Sequence, residues 1–529
     1  MIELSQARTK RLTAIHGWSA VLLGLLLYAV VATGAVAVFS EEIGRWSAGE
    51  VQDQPVLSRD IDALVQRLSA EVDPAFREEI GIWSGEGDDF FAFFHTHRMH
   101  PEDGELADYG ALFRVNAVTG ETLDRADGFI WDDRSAWDTT PLSTFFVQLH
   151  VQLYLPNPWG LILTGILGLM MMAAVVSGVL IHRHVIRDLF LAERPGGRLA
   201  GVRDRHALSS TWSIPFAFLL AFTGSFFSFA GTIGLPIVAT VAFQGDQEAM
   251  AERLYEPPVA ENTLPARTAS LDALVADSTA RTGTAPHFID VSHPGRADAR
   301  VTIWHDPGDG GLGWIGNRYA GASQAFIGRA LNIGTEPSLG NTLYGLMAPL
   351  HFGHFGGLLS KAIWGALGVS MCFVILSGFR LWVRRRSQER LWQRFGLAVV
   401  VTGYGLPVAM LVSAWGFFLT RPAGDPHFWT PASFFAAAVL LILHGAWDGR
   451  ADRLGPLYQR MLGLLCLSLP PLRLATGGLD WASALMAGQT DIVTLDLLLL
   501  LAGVVILAVE RRQRLGGRAA GRVRLEPAE

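Results

Sequence analysis

Four histidines in this sequence have the setting of metal ligands. His16 and His206 each open a long apolar run, and His150 and His351 each stand just before another. Their surroundings repeat with them. Thr33-Gly34 follows His16 at offsets of 17 and 18 residues, and Thr223-Gly224 follows His206 at the same offsets. After His150, Leu167-Gly168 precedes Ser177-Gly178 by ten residues; after His351, Leu367-Gly368 precedes Ser377-Gly378 by the same ten. Ionisable side chains in apolar runs are costly and tend to mark function. A neutral imidazole is the least costly of them and a good metal ligand. Two imidazoles at one depth on facing helices can hold a planar haem from both sides, as cofactor sites in helix bundles are built. With both axial positions filled, the iron binds no substrate and transfers electrons. Only Cys372 and Cys466 occur, both in apolar runs. That excludes covalent CxxCH attachment, cysteine-ligated clusters, cysteine zinc sites and a disulfide framework. The expectation is two non-covalent b-type haems, one on His16 with His206 and one on His150 with His351. Interfacial histidines would explain each position singly, but not two matched pairs.

The elements that must position these residues are membrane helices. The 529 residues are 50% hydrophobic and 17% charged, against ~25% charged in an average soluble chain. Apolar runs long enough to span a ~30 Å hydrocarbon core lie near 17–39, 160–182, 211–241, 361–383, 396–419, 431–447, 457–475 and 491–510, eight in all. The first follows Arg8, Lys10 and Arg11 but is longer than a signal-peptide core, with no cleavage-like site before Glu41, and reads as a retained helix. Arginines cluster after the second, fourth, sixth and eighth runs: Arg183, Arg187, Arg194, Arg198, Arg203 and Arg205, then Arg384, Arg385 and Arg386, Arg450 and Arg453, and Arg511, Arg512 and Arg514. Cytoplasmic loops carry such an excess, so both termini are expected in the cytoplasm of a bacterial inner-membrane protein. The polar regions near 41–141 and 243–340 then face the periplasm. The first four spans form a tandem repeat whose halves insert the same way round, related by a pseudo-twofold axis along the membrane normal. The net charge of −7 argues against a nucleic-acid partner.

Each polar region reads as a small α+β unit. SRDIDALVQRLSAEV and SLDALVADSTARTG are the helices; FFAFFHTHRMH, ALFRVNAVTGETL, HFIDVSHPG and ARVTIWHDPG are strand-like. Asn116 to Glu121 reads as a turn in which Gly120 takes positive φ. His95 and His97 share one strand face, open to a metal or substrate contact, though a solvated face is the favoured reading. His182 and His184 read as interfacial anchors, His354 as an alternate ligand one turn from His351, and His444 as a histidine without a repeat partner. His287, His293, His305 and His427 read as periplasmic loop or strand residues. Asp425, Asp448, Asp480 and Asp491 stand near helix ends.

The ordered set KRLTAIH, FVQLHVQLYL, RHALSSTWSIPFAFLLAFTG and APLHFGHFGG, with the strand-turn VNAVTGETL, resembles the PepSY-associated transmembrane family over roughly residues 1–386. The resemblance implies an iron-regulated inner-membrane protein of the kind that includes dihaem reductases of ferric siderophores, with His16, His150, His206 and His351 as haem ligands. Members often carry a basic residue directly after the histidine matching His150; here it is Val151.

The resulting organisation is a mainly α, polytopic bundle with two small α+β periplasmic PepSY-like domains. Residues 1–40 form the first span, 41–141 and 243–340 the two domains, 142–242 spans two and three, 341–386 span four, and 387–529 four further spans and a cytoplasmic tail. Electrons pass from an unidentified cytoplasmic or quinol donor to a periplasmic ferric siderophore or another acceptor. A haem-free PepSY protein that binds or regulates, and a transporter, are the readings of other classes.

Overall fold

A computed structural model of the chain describes residues 5–48, 57, 60–85, 88–102, 104, 106–182, 199–254, 260–306, 311–422 and 424–523. Arg183, His184, Arg187, Arg194 and Arg198 lie outside the described residues. Contacts divide the chain into two compact units: Met1–Gly49, Pro141–Thr232 and Ala362–Glu529, and Glu50–Thr140 with Ile233–Lys361.

In chain order, α1 (Gln6–Ala37) and α2 (Ser40–Ala48) precede α3 (Ile61–Glu71) and strands β1 (Glu79–Ser84), β2 (Asp89–Met99), β3 (Leu106–Asn116) and β4 (Thr122–Gly128). Helices α4 (Pro141–Gln152), α5 (Trp159–Ile181) and α6 (Leu199–Phe229) follow, the last running through a π-helical turn into α7 (Leu235–Ala242). Next come α8 (Gln247–Leu254), α9 (Leu271–Thr282), β5 (Pro286–Ser292), β6 (Arg300–His305), β7 (Ile315–Ala320) and β8 (Phe326–Arg329). The chain closes with α10 (Leu339–Phe352), α11 (Gly357–Arg384), α12 (Arg390–Thr420), α13 (Pro426–Asp448), α14 (Ala451–Ala475), α15 (Trp481–Met486) and α16 (Thr490–Val523).

Among the described residues, seven helical segments are long and apolar enough to cross a membrane, so the protein is a multi-pass membrane protein. The sequence predicts eight. The difference is α14, whose 25 residues have the length of a span but include Gln459, Arg460, Pro456, Pro470 and Pro471. Small residues let the first-unit helices approach closely, as membrane helices require. Gly165 and Gly168 of α5 lie against Phe229 and Ser225 of α6, and Gly365 and Gly368 of α11 against Phe39 and Ala35. The polar region begins later than residue 41, because α2 packs in the first unit: Ser143 on α4 donates to the Ser40 carbonyl at 2.6 Å. At its other end the sheet-bearing unit extends to Lys361 and takes in α10.

The two polar regions are expected as separate domains. They form one antiparallel sheet instead, in the order β4-β3-β2-β1-β5-β6-β7-β8. The seam is β1 against β5, with Gly81 opposite Asp290 and Ile82 opposite Ile289. Each half alone would leave an open edge there, ready to pair with another chain. One core serves both halves: Val65 and Leu68 of α3 and Leu274 and Val275 of α9 pack with Ile82, Phe94, Phe113, Ile289 and Ile303. The helices also cap each other. Asp272 accepts from the Ile61 amide at 2.8 Å, and Asp62 accepts from the Leu271 amide at 2.7 Å, each satisfying amides that a helix start leaves unpaired. The turn after β3 is as the sequence predicts, with Gly120 at φ +70° and Asn116 accepting from the Val118 and Thr119 amides.

Candidate cofactor site

In the first unit the histidines sit on a repeated local device. His16 on α1 donates from Nδ1 to the Ala174 carbonyl at 3.1 Å and lies 3.1 Å from Ser177 Oγ, both on α5. His206 on α6 does the same to α11, with Val374 O at 3.1 Å and Ser377 Oγ at 3.0 Å. A carbonyl can only accept, so Nδ1 carries the proton and Nε2 keeps its lone pair. Ser177 and Ser377 donate to the same carbonyls, at 3.0 and 2.9 Å, so each hydroxyl oxygen accepts from the imidazole. The rings pack over Gly178 and Gly378: a Cβ would meet His206 Cε1 tightly at 3.2 Å from position 378, and His16 Cε1 at an ordinary contact distance of 3.6 Å from position 178.

His150 on α4 follows the same rule on α1. Its Nδ1 donates to the Val30 carbonyl at 2.9 Å, and a Cβ on Gly34 would come within 2.7 Å of the ring. In all three cases the accepting carbonyl lies four residues before the glycine that faces the ring. His351 lies in the last turn of α10, two residues before the Gly353 cap, in the sheet-bearing unit.

His16 and His206 line one cavity of about 560 Å³. Its walls are apolar, with Val21, Leu27, Met171, Ala217, Met371 and Phe379 among them, and Lys10, Arg203, Arg385 and Arg386 are its basic lining. His182, at the C-cap of α5, lines it too. Trp18, Trp382 and Trp392 form an edge-to-face cluster beside it, with the Arg386 guanidinium 3.5 Å over Trp382. These donors suit a planar, amphiphilic macrocycle. Two imidazoles offer Nε2, each held by a second bond on Nδ1 as metal-ligating histidines are. Glycines admit a flat edge, and the cations can meet its carboxylates.

The remaining expected positions separate clearly. His444 on α13 bonds Tyr458 Oη at 3.1 Å, and His305 is a core residue of β6, bonded to Ser278 Oγ at 2.6 Å and the Thr284 carbonyl at 2.8 Å. His427 lies in the first turn of α13, not in a loop or strand. His354 lies in a short 3-10 turn after α10. Asp425 and Asp480 cap α13 and α15, and Asp491 pairs with Arg45 at 2.5 Å. On the sheet, His95 and His97 share a face with Glu79 and Asp108. Burial pushes the His95 imidazole below its usual range, against the pull of Asp108 and Glu79. Burial, aided by the charge of Glu79, pushes the Asp290 carboxyl up to about 7.

The sequence gives no warning of the most buried charges. Arg473 on α14 meets Asp496 on α16 at 2.6 Å, both side chains fully buried, and Trp46 and Trp481 also donate to Asp496, at 2.8 and 2.9 Å.

A family model described as the PepSY-associated TM region matches residues 13–385. A Pseudomonas aeruginosa protein described as uncharacterized is 29% identical over 403 residues, covering 69% of this chain and 94% of that protein.

Proposed function

Since the chain belongs to the PepSY-associated transmembrane family, we propose that it is an electron-transfer protein of the bacterial inner membrane, in which His16 and His206 would hold a b-type haem. A haem bound by two histidines supplies one-electron transfer with no open position for oxygen or substrate. The supporting observation is the twin device on one cavity: in each half of the repeat an imidazole is fixed through Nδ1 by a carbonyl and a serine, leaving Nε2 as the ligand atom. The chain's own part is to hold those rings, to exclude water with Leu27, Met171, Met371 and Phe379, and to offer cations to carboxylates. The second pair, His150 with His351, follows from the sequence repeat.

In this reading both termini are cytoplasmic, and electrons leave toward the periplasmic side. The acceptor we favour is a ferric siderophore. Reduction releases the metal because ferrous iron is held far more weakly than ferric iron by hard oxygen donors.

The test is an absorption spectrum of the purified protein with a pyridine haemochrome assay. A Soret band with two haems per chain is expected, followed by oxidation of the dithionite-reduced protein on adding a ferric hydroxamate or catecholate. Absence of a Soret band would sink the redox reading. A haem-containing protein that ignores every ferric chelate would remove the acceptor and keep the electron path.

A further inference from the structure

We propose that Glu79, His95 and His97 form a binding site for one divalent transition-metal ion, with Asp108 as the carboxylate that orients it. The proposal stands apart from the haem reading, since all four residues are on the sheet.

Three neighbouring strands bring these side chains together through register. On β2, His95 and His97 are two residues apart and so project from one face. Glu79 on β1 is directly opposite His95, and Asp108 on β3 is directly opposite His97. One ligand atom from each of Glu79, His95 and His97 lies within 4.8 Å of the other two. With metal–ligand bonds of about 2.0–2.2 Å, donors on one ion stand about 3–4 Å apart, so small side-chain rotations close the triad.

The state of His95 carries the argument past a solvated strand face. It is 8% exposed, and its Nδ1 is buried with no hydrogen-bond partner. A buried polar atom without a partner is uncommon and costly. The ring is already fixed, stacked on Phe93 with centroids 4.5 Å apart and planes 18° apart. A carboxylate stands off each nitrogen: Nε2 is 3.9 Å from Glu79 and Nδ1 3.9 Å from Asp108. Asp108 also lies 3.3 Å from His97 Nε2. With Nε2 and Glu79 on the ion, Nδ1 is left facing Asp108, a carboxylate of the kind that orients histidine ligands. His97, with 40% of its side chain exposed, leaves the site open to solvent for entry.

The donor chemistry selects the ion. Two imidazoles and one carboxylate suit ferrous iron, zinc and their first-row neighbours, whereas magnesium and calcium prefer all-oxygen shells.

The experiment is equilibrium dialysis of zinc ion against tag-free, full-length, chelator-stripped protein in detergent. Haem content is measured on each sample. One zinc per chain is expected. His97→Ala and Glu79→Gln should each weaken binding at least tenfold, and Asp108→Asn about tenfold. His100→Ala, whose imidazole pairs with Asp132, should bind like the wild type. Haem content should not change in any of them, which separates this site from the membrane cavity. His97 is exposed, so its variant keeps the test valid if a change at Glu79 disturbs the sheet. No saturable zinc binding by the wild type, or equal binding by the wild type and His97→Ala, would overturn the proposal.

Discussion

Two regions of the membrane unit bury polar groups, and they do so in opposite ways. In α1, α5, α6 and α11, each of His16 and His206 has one nitrogen tied to a neighbouring helix, while the residue faces a shared cavity. In α14 and α16, Arg473 and Asp496 satisfy each other, and Trp46, Trp481 and the Leu479 carbonyl take up remaining positions. A buried ion pair is tolerable only when its hydrogen bonds are complete. The Arg473–Asp496 pair is thus closed on itself and braces α14 against α16. The first region keeps a coordination position open, which is the property of a site.

The largest effect that could break this contrast is at the cavity. His206→Ala should weaken one haem and lower the total absorbance by up to about half, with the other retained, because it takes away one of that haem's two protein ligands. Undiminished haem would remove the distinction between the regions. Next, Arg473→Ala leaves Asp496 buried without its cation and should cost ~3–5 kcal/mol of stability, read as a lower midpoint of thermal unfolding in detergent. Protein that does fold should keep both haems.

Asp290 sharpens the contrast from the sheet-bearing unit, as an acid raised by burial and by the like charge of Glu79. Its folded pKa of about 7 lies above the unfolded value, so the folded state holds the proton more tightly. The cost of ionising it grows as pH rises from about 4 to 7 and is complete above that. Asp290→Asn should therefore raise unfolding stability by at most about 4 kcal/mol at pH 8, with the gain vanishing toward pH 4. A pH-independent gain would contradict the origin given for it. The smallest effect is expected at Ser177→Ala or Ser377→Ala. Each removes an acceptor from one imidazole while the carbonyl remains, so haem should be retained with a loss of about 1 kcal/mol or less, visible as faster haem release.

Much of the first region was legible in the sequence, because its signals are short-range. A histidine, a Thr-Gly step and a Ser-Gly step recur at fixed spacing, and helix geometry turns that spacing into position. The sequence also foretold helices α3 and α9 and the Asn116 turn. Three things were hidden, each a long-range pairing. The seam of β1 with β5 joins residues that are ordinary strand edges when read alone. Arg473 and Asp496 lie in different helices, and Trp46 reaches Asp496 from near the other end of the chain. Asp491 was visible near a helix start, but its partner Arg45 was not. The α14 helix has the length of a span, but Gln459, Arg460 and Arg473 with three prolines leave it less apolar than the other long helices.

The β1–β5 seam also dictates a timetable. About 200 residues separate Ser84 from Pro286, so at ~5–20 residues per second the ribosome needs about 10–40 seconds to deliver the second edge after the first. During that interval β1 has an unpaired edge, and α3 lacks the cap that Asp272 will later supply. Two spans must be inserted before the partner strand arrives. Completion of the sheet thus waits on α5 and α6, and a fault in either would register first as an unpaired β1 edge.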